Sequence, residues 1–188
     1  MSTPSLLSCT ELCDYINRGG QAKYLYFWGH RPPRDGDVSK ACFSQWFEAA
    51  FEIDGVCYPT AEHYMMAEKA RLFEDLDALA RILAAPNPGA AKAAGREVRD
   101  FDDNKWIERR WEIVVAANLA KFNQNKLLGD FLVQTGDRVL VEASPVDRIW
   151  GIGLAADEPA AENPNTWNGL NLLGFALMQV RALLRDGS

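Results

Sequence analysis

Glu62 lies within the run Tyr58-Pro59-Thr60-Ala61-Glu62-His63-Tyr64-Met65-Met66-Ala67-Glu68-Lys69-Ala70. Pro59 and Thr60 read as a helix start, with Thr60 as the N-cap whose hydroxyl accepts a free backbone N–H. That places Glu62 in the first turn, on a face continued by Met65, Met66 and Lys69 and therefore mostly apolar. An acid there either satisfies helix-end N–H groups or works on a ligand, and spacing alone favours the structural reading, since acids in a first helical turn are common. Asp147 stands three residues before Trp150-Gly151-Ile152-Gly153. Taken alone it reads as a turn residue bonding its own backbone. Glu142 reads equally well as a charge at the solvent-facing end of a strand or as a functional acid.

The companions of these acids are aromatic and basic. Trp28 closes an aromatic run just before Gly29, Trp150 precedes a glycine pair, and Trp106 sits one helical turn from Arg110. A helical tryptophan is more often core than ligand platform. Lys69, Arg96, Arg110 and Lys121 are candidates for anion contacts, against the plainer role of covering surface. Gly151 suits a tight turn that lets backbone approach a ligand. Asn171 begins the last helix, where capping is the simpler role and donation to a ligand the alternative. Carboxylates stabilise developing positive charge and activate water, indoles carry a flat base, and cations or helix N-termini hold phosphate.

Metal chemistry is poorly supplied. The histidines are His30 and His63, and Cys9, Cys13, Cys42 and Cys57 form no paired Cys-x-x-Cys pattern. No metal ligand and no cofactor is expected.

The elements that must position these groups are mostly helical. A short helix is expected over Thr10–Asn17, a strand over 23–28, and short strands over Ala41–Ser44 and Phe51–Tyr58, the latter turning at Asp54-Gly55. Helices follow from Thr60, over Leu76–Leu83, from Asn87 through Ala94, and over Asp103–Gln124 with Trp111, Val114, Val115, Leu119 and Phe122 as its core stripe. Val139–Glu142 reads as a strand and Leu170–Leu184 as a central buried helix. The stretch 155–168 is loop-like and expected to border the site. The fold class is α+β, a single mostly helical domain with a small β-sheet.

The chain has 188 residues, 48% of them hydrophobic, which suits one domain with a substantial core. Residues 1–22 read as an N-terminal extension with a short helix, and 23–188 as the domain. The net charge of −6 argues against a broad grip on nucleic acid or an anionic membrane. The apolar runs are too short to span a bilayer and the N-terminus lacks a leader pattern, so a soluble cytoplasmic protein is expected.

An ordered set of short motifs runs from Tyr26 to Arg181. It comprises Tyr26-Phe27-Trp28-Gly29, Phe43-Ser44-Gln45, Thr60–Ala70, Gly95-Arg96, Trp106 with Arg110, and Lys121-Phe122. Thr135-Gly136, Val141-Glu142, Asp147 with Trp150-Gly151-Ile152-Gly153, and Asn168–Gly174 with Leu177-Met178 and Arg181 complete it. In this order and spacing they resemble the NADAR family, the riboflavin-intermediate N-glycosidase-like proteins. Two places depart from the usual pattern: Gln45 stands where Asn is usual, and Met65-Met66 where Tyr or Phe and Gln are common.

The resemblance implies an N-glycosidase. Cleavage of an N-glycosidic bond passes through an oxocarbenium-like state, which assigns Glu62 and Asp147 as the catalytic carboxylates and Glu142 as a weaker third candidate. Trp28, Ser44, Lys69, Arg96, Trp106, Arg110, Trp150, Gly151 and Asn171 become candidate substrate contacts. Two substrate classes are implied: phosphorylated ribosylamino-pyrimidine intermediates of riboflavin synthesis, or ADP-ribose on a modified nucleobase. The acidic charge favours the small molecule, with nucleic acid only as a modified substrate. The rivals are a non-catalytic ADP-ribose or nucleotide sensor and a helical interaction module.

Overall fold

The computed structural model describes residues 6–34 and 36–187. Ser8 starts α1 (Cys9–Asn17), its hydroxyl accepting the Glu11 N–H at 3.2 Å. Residues 1–5 of the expected N-terminal extension lie outside the described residues. The aromatic run forms β1 (Tyr24–Phe27). Where a strand over Ala41–Ser44 was expected, Lys40–Phe43 is instead a 3-10 turn. Ser39 caps it, and a buried ammonium takes its carbonyls, which leaves no ladder for a strand to join.

The hairpin of β2 (Phe51–Ile53) and β3 (Val56–Tyr58) turns at Asp54 and Gly55, both with positive φ. This is the left-handed pair that a two-residue hairpin requires. Then come α2 (Ala61–Leu72), α3 (Leu76–Leu83), α4 (Pro88–Arg96), α5 (Asp103–Gln124) and α6 (Lys126–Gln134). The helix α6 was not anticipated; Asn125 ends α5 and begins α6, and Leu128 and Leu132 bury its inner face. β4 (Val139–Glu142) pairs in parallel with β1, and α7 (Leu172–Asp186) closes the chain.

Two apolar clusters share the β1–β4 pair. Strand alternation sends Leu140 to the main core with α2, α5 and α7, and sends Val139 and Val141 to a smaller cluster under α1. Glu142, two residues beyond Leu140, emerges on the main-core side. A fully buried Leu, Phe or Val contributes about 1.5–3 kcal/mol, and α7 supplies Leu173, Phe175, Leu177 and Val180. The α5 stripe is broader than expected. Ile113, Val114, Ala117, Asn118, Lys121 and Phe122 are buried, while Trp111, Val115 and Leu119 are half-buried, because α5 packs against α2 on one side and α7 on the other.

The stretch 155–168 folds into two 3-10 turns, Pro159–Glu162 and Pro164–Thr166, docked on α1 and the second cluster. It does not line the cleft described below. The Tyr26 hydroxyl and the Trp167 indole N–H both donate to the Ala161 carbonyl, fixing these turns behind β1. Among the described residues, no helix is long and apolar enough to cross a membrane. The architecture is a single α+β domain, mostly helical with few strands.

Candidate active site

Helix α2 delivers Glu62 into the interior. Thr60 Oγ1 accepts the His63 N–H at 3.3 Å, and the Gln45 carbonyl accepts the Glu62 N–H at 3.0 Å. The helix start is thus satisfied without the Glu62 carboxylate. Its neighbour His63 is also committed. Nδ1 meets the Thr60 hydroxyl at 2.8 Å and Nε2 meets the Ala85 carbonyl at 3.1 Å, so the carbonyl takes Nε2–H and the hydroxyl donates to Nδ1. Burial holds the His63 pKa below its usual value.

Glu62 itself is 2% exposed, and its Oε1 has no hydrogen-bond partner. Burial raises its pKa to about 7, against the opposing pull of Lys92 and a hydrogen bond from Trp46; Asp147 adds repulsion and Arg96 attraction. A buried polar atom without a partner in a folded protein calls for a reason. Here it lies behind the lining of a cleft of about 660 Å³, formed by Trp28, Ser44 and Trp46 on one side, Lys92 and Arg96 from α4, and Glu142 and Asp147 from the end of β4 and the following turn; Trp46, Lys92, Arg96 and Asp147 of that lining are its electrostatic neighbours.

Glu142 is the second carboxylate of this type. Its Oε2 is buried without a partner. Burial raises its pKa to about 8, with Asp147 and Glu62 adding repulsion and Lys92 opposing. Its backbone is pinned from both sides, the N–H by Asn171 Oδ1 at 2.9 Å and the carbonyl by the Ile152 N–H at 2.9 Å. Asp147 accepts the N–H groups of Ile149 and Trp150 on Oδ1, at 2.9 and 2.8 Å. It is a turn residue and a wall of the cleft at once.

The turn closes over Glu142 because Gly151 has no side chain. A Cβ there would stand 2.8 Å from the Glu142 carbonyl and 3.0 Å from that of Asp147. Helix α4 is brought to the other wall by a similar approach. A Cβ on Gly95 would stand 2.2 Å from Met66 Sδ, so α4 packs directly on α2 and turns Lys92 and Arg96, one turn apart, toward the acids.

The expected site residues therefore divide into two groups. Asp147, Trp28, Ser44 and Arg96 line the cleft, and Glu62 is buried behind that lining with Asp147 and Arg96 as electrostatic neighbours. Trp150, Gly151 and Asn171 lie behind it as support. Trp150 is half-buried against the core, and Asn171 is buried with Nδ2 on the Leu140 carbonyl at 2.9 Å, making no side-chain cap to α7. Lys69, Trp106 and Arg110 do not line the cleft. Lys69 donates to the Gly95 carbonyl at 2.8 Å and lies 4.1 Å from the centroid of Phe101; Trp106 packs against the main core; Arg110 shares Asp103 with Lys69 as an electrostatic neighbour.

Lys121, expected on an anion, is fully buried on α5 and donates to the Cys42 and Ser44 carbonyls at 2.6 and 2.9 Å. Gln45 is likewise buried, its Oε1 accepting from Asn118 Nδ2 at 2.8 Å, and Met66 packs on Gly95. The two departures from the usual family pattern thus fall in the interior and not on the cleft lining.

Trp46 and Lys92 were missed. Lys92 was detectable in principle, since it precedes Arg96 by four residues on one helix and so shares its face. Trp46 adjoins the Phe43-Ser44-Gln45 motif, yet only the tertiary fold aims its indole at Glu62. Lys92 Nζ lies 5.8 Å from the Trp46 centroid, and the His30 ring is 5.6 Å from it. Among the described residues, no group of three or more His, Cys, Asp and Glu side chains is arranged to hold a metal ion.

Several known proteins are similar to this chain. N-glycosidase R617 of Acanthamoeba polyphaga mimivirus is 40% identical over 164 residues, covering 85% of this chain and 95% of that protein. Riboflavin biosynthesis protein VVA0006 of Vibrio vulnificus is 27% identical over 176 residues, 94% of this chain but 42% of its own length. N-glycosidase YbiA of Escherichia coli is 31% identical over 154 residues, 79% of this chain and 81% of that protein. The NMR structure of E. coli YbiA superposes with a TM-score of 0.68 at 25% identity, covering 89% of this chain and 88% of that one. The family profile of the NADAR domain matches residues 26–185, and the chain belongs to the NADAR domain family.

Proposed function

We propose that this chain hydrolyses the N-glycosidic bond of a ribosylated heterocycle, without a metal ion. The observation that carries the reading is one cleft lined by Glu142 and Asp147 together with two indoles and two cations, with the buried Glu62 carboxylate behind it. The names of the curated relatives support the bond type.

As the C1–N bond lengthens, positive charge grows on C1 and the ring oxygen. The Glu62 carboxylate, buried behind the cleft lining, stabilises that charge in surroundings where water does not screen it. Asp147, on the cleft wall, takes the proton of the water that attacks C1. Trp28 and Trp46 offer indole surfaces to a flat base. Lys92 and Arg96, one turn apart, suit a phosphate.

The substrate class we favour is a phosphorylated ribosylamino-pyrimidine intermediate of riboflavin synthesis. The Vibrio relative's name and the paired cations on α4 support it. The test is incubation with a panel of ribosylated bases, including ribosylamino-pyrimidine phosphates and an ADP-ribosylated nucleobase, with chromatography for released base and sugar. Release of base and ribose 5-phosphate from the pyrimidine substrate is expected, and it should survive chelator. Preferential release from the ADP-ribosylated base would move the substrate class. Binding without any release would make the cleft a sensor.

A further inference from the structure

We infer that Glu142 is the acid that protonates the departing base, a role that rests on the N-glycosidase reading above. The argument begins with how firmly it is placed. Asn171 Oδ1 and the Ile152 N–H hold the backbone of Glu142 on both sides, and the close approach of Gly151 fixes the turn over it. Strand alternation then projects its side chain on the face shared with Leu140, toward Glu62 and away from the second cluster. The side chain lines the cleft, so it is not simply packed in the core.

Its chemistry follows from its surroundings. Oε2 is shielded from water and accepts no hydrogen bond. An ionised oxygen in that position would be charged, dry and unpartnered, which is costly. A protonated one carries an O–H in search of an acceptor. The charged groups facing it are Asp147 and Glu62, both of which repel a third negative charge, and Lys92, which opposes them. Burial and these two acids lift its pKa to about 8, so the proton is present at neutral pH. Asp147 differs, because two backbone N–H groups already occupy its Oδ1. Acids whose environments diverge in this way take opposite parts in proton transfer.

The step balances. The electrons of the C1–N bond move to nitrogen as the Glu142 O–H proton transfers to it, and the base leaves neutral. Water adds through oxygen to C1 and gives one proton to Asp147. That proton replaces the one Glu142 lost, through solvent, and one water is consumed per bond cleaved.

A leaving group that needs no proton exposes the role. The probes are a ribosylamino-pyrimidine 5′-phosphate and 4-nitrophenyl riboside 5-phosphate, whose nitrophenolate departs as an anion. Glu142→Gln should lower kcat on the first by roughly 10²-fold and on the second by less than about threefold. The wild-type enzyme supplies a second measurement that needs no variant. Its alkaline fall in rate should appear with the pyrimidine and vanish with the nitrophenyl substrate. Equal losses on both substrates, or the same alkaline fall on both, would overturn the assignment while leaving N-glycosidase activity standing. A wild-type protein that cleaves neither of these, nor any ribosylated base of the panel, would overturn the N-glycosidase reading, and Glu142's part falls with it.

Discussion

Asn171 Oδ1 accepts the backbone N–H of Glu142 at 2.9 Å while its Nδ2 donates to the Leu140 carbonyl at 2.9 Å. One side chain at the start of α7 thus completes the open edge of β4, as a neighbouring strand would. Its φ of 53° is left-handed, a conformation that asparagine tolerates better than most residues. The helix that fills the core also sets the strand end that carries an acid into the cleft.

Asn171→Leu should therefore cost stability and activity together. It leaves two buried backbone groups unpartnered, at about 1–3 kcal/mol each, and adds about 1–2 kcal/mol for the left-handed backbone. Asn171→Gly keeps the backbone relaxed and should lose only the first part. Urea denaturation of both variants separates the two costs. A Leu variant as stable as wild type would show that the clamp is idle.

Glu62→Gln should lower turnover by about 10²-fold or more with substrate binding nearly unchanged. It also removes a buried charge, so at pH 8.5 the variant should be at least as stable as wild type. Single-turnover rate and thermal midpoint on one sample decide this. A less stable variant that cleaves at the normal rate would make Glu62 a structural acid.

Stability should fall as pH rises from about 4.5 to about 8. Glu62 and Glu142 have folded pKa values raised to about 7 and about 8, so in this window the unfolded chain has released protons that the folded chain still holds. Below about pH 4 the trend reverses, because hydrogen bonds from Arg99 hold Asp75 well below the usual carboxylate range and that stabilisation is lost on protonation. Chemical denaturation from about pH 3 to 8 should show a maximum between about pH 4 and 4.5. The double variant Glu62→Gln, Glu142→Gln should flatten the decline above it, and an unchanged slope would refute the burial argument.

Trp46→Phe keeps a ring but deletes the indole N–H that bonds to Glu62. That bond favours the ionised carboxylate, so its loss should raise the Glu62 pKa further. The acidic limb of the pH–rate profile, set by Glu62 ionising near 7, should move to higher pH. An unmoved limb would mean that the limb reports another group.

Lys121→Met tests how the cleft wall is held. The ammonium, fully buried and with a pKa lowered by burial to about 8, supports the carbonyls of Cys42 and Ser44 just before Trp46. Its removal leaves the Cys42 carbonyl without a donor and the Ser44 carbonyl with the Phe47 N–H alone, at a cost of about 1–3 kcal/mol. Amide exchange should accelerate over residues 42–47, and kcat should fall although Lys121 does not line the cleft. Unchanged exchange in that segment would sink the idea.

The sequence by itself determined most elements and singled out Glu62, Asp147 and Glu142 as the acids to examine. Capping residues and proline marked the starts of α2 and α4. The apolar pattern bounded Asp103–Gln124 and Val139–Glu142 as they occur, and Asp54-Gly55 forced the hairpin. These features depend on local sterics and on hydrogen bonds a few residues apart, which spacing encodes. The 3-10 turn at Lys40–Phe43 escaped because its carbonyls are held by Lys121, 77 and 79 residues away. Lys121 itself looked like a surface cation, since nothing local reveals that α5 is wrapped on two sides. Only the tertiary structure decided which tryptophans and cations meet the acids. Trp46 and Lys92 reach the cleft while Trp106 and Arg110 do not, because α4 packs on α2 through Gly95 and brings one helix face, not another, over the end of β4. Long-range packing of that kind leaves no periodic trace in the chain, and it brought three scattered carboxylates within electrostatic reach of one another.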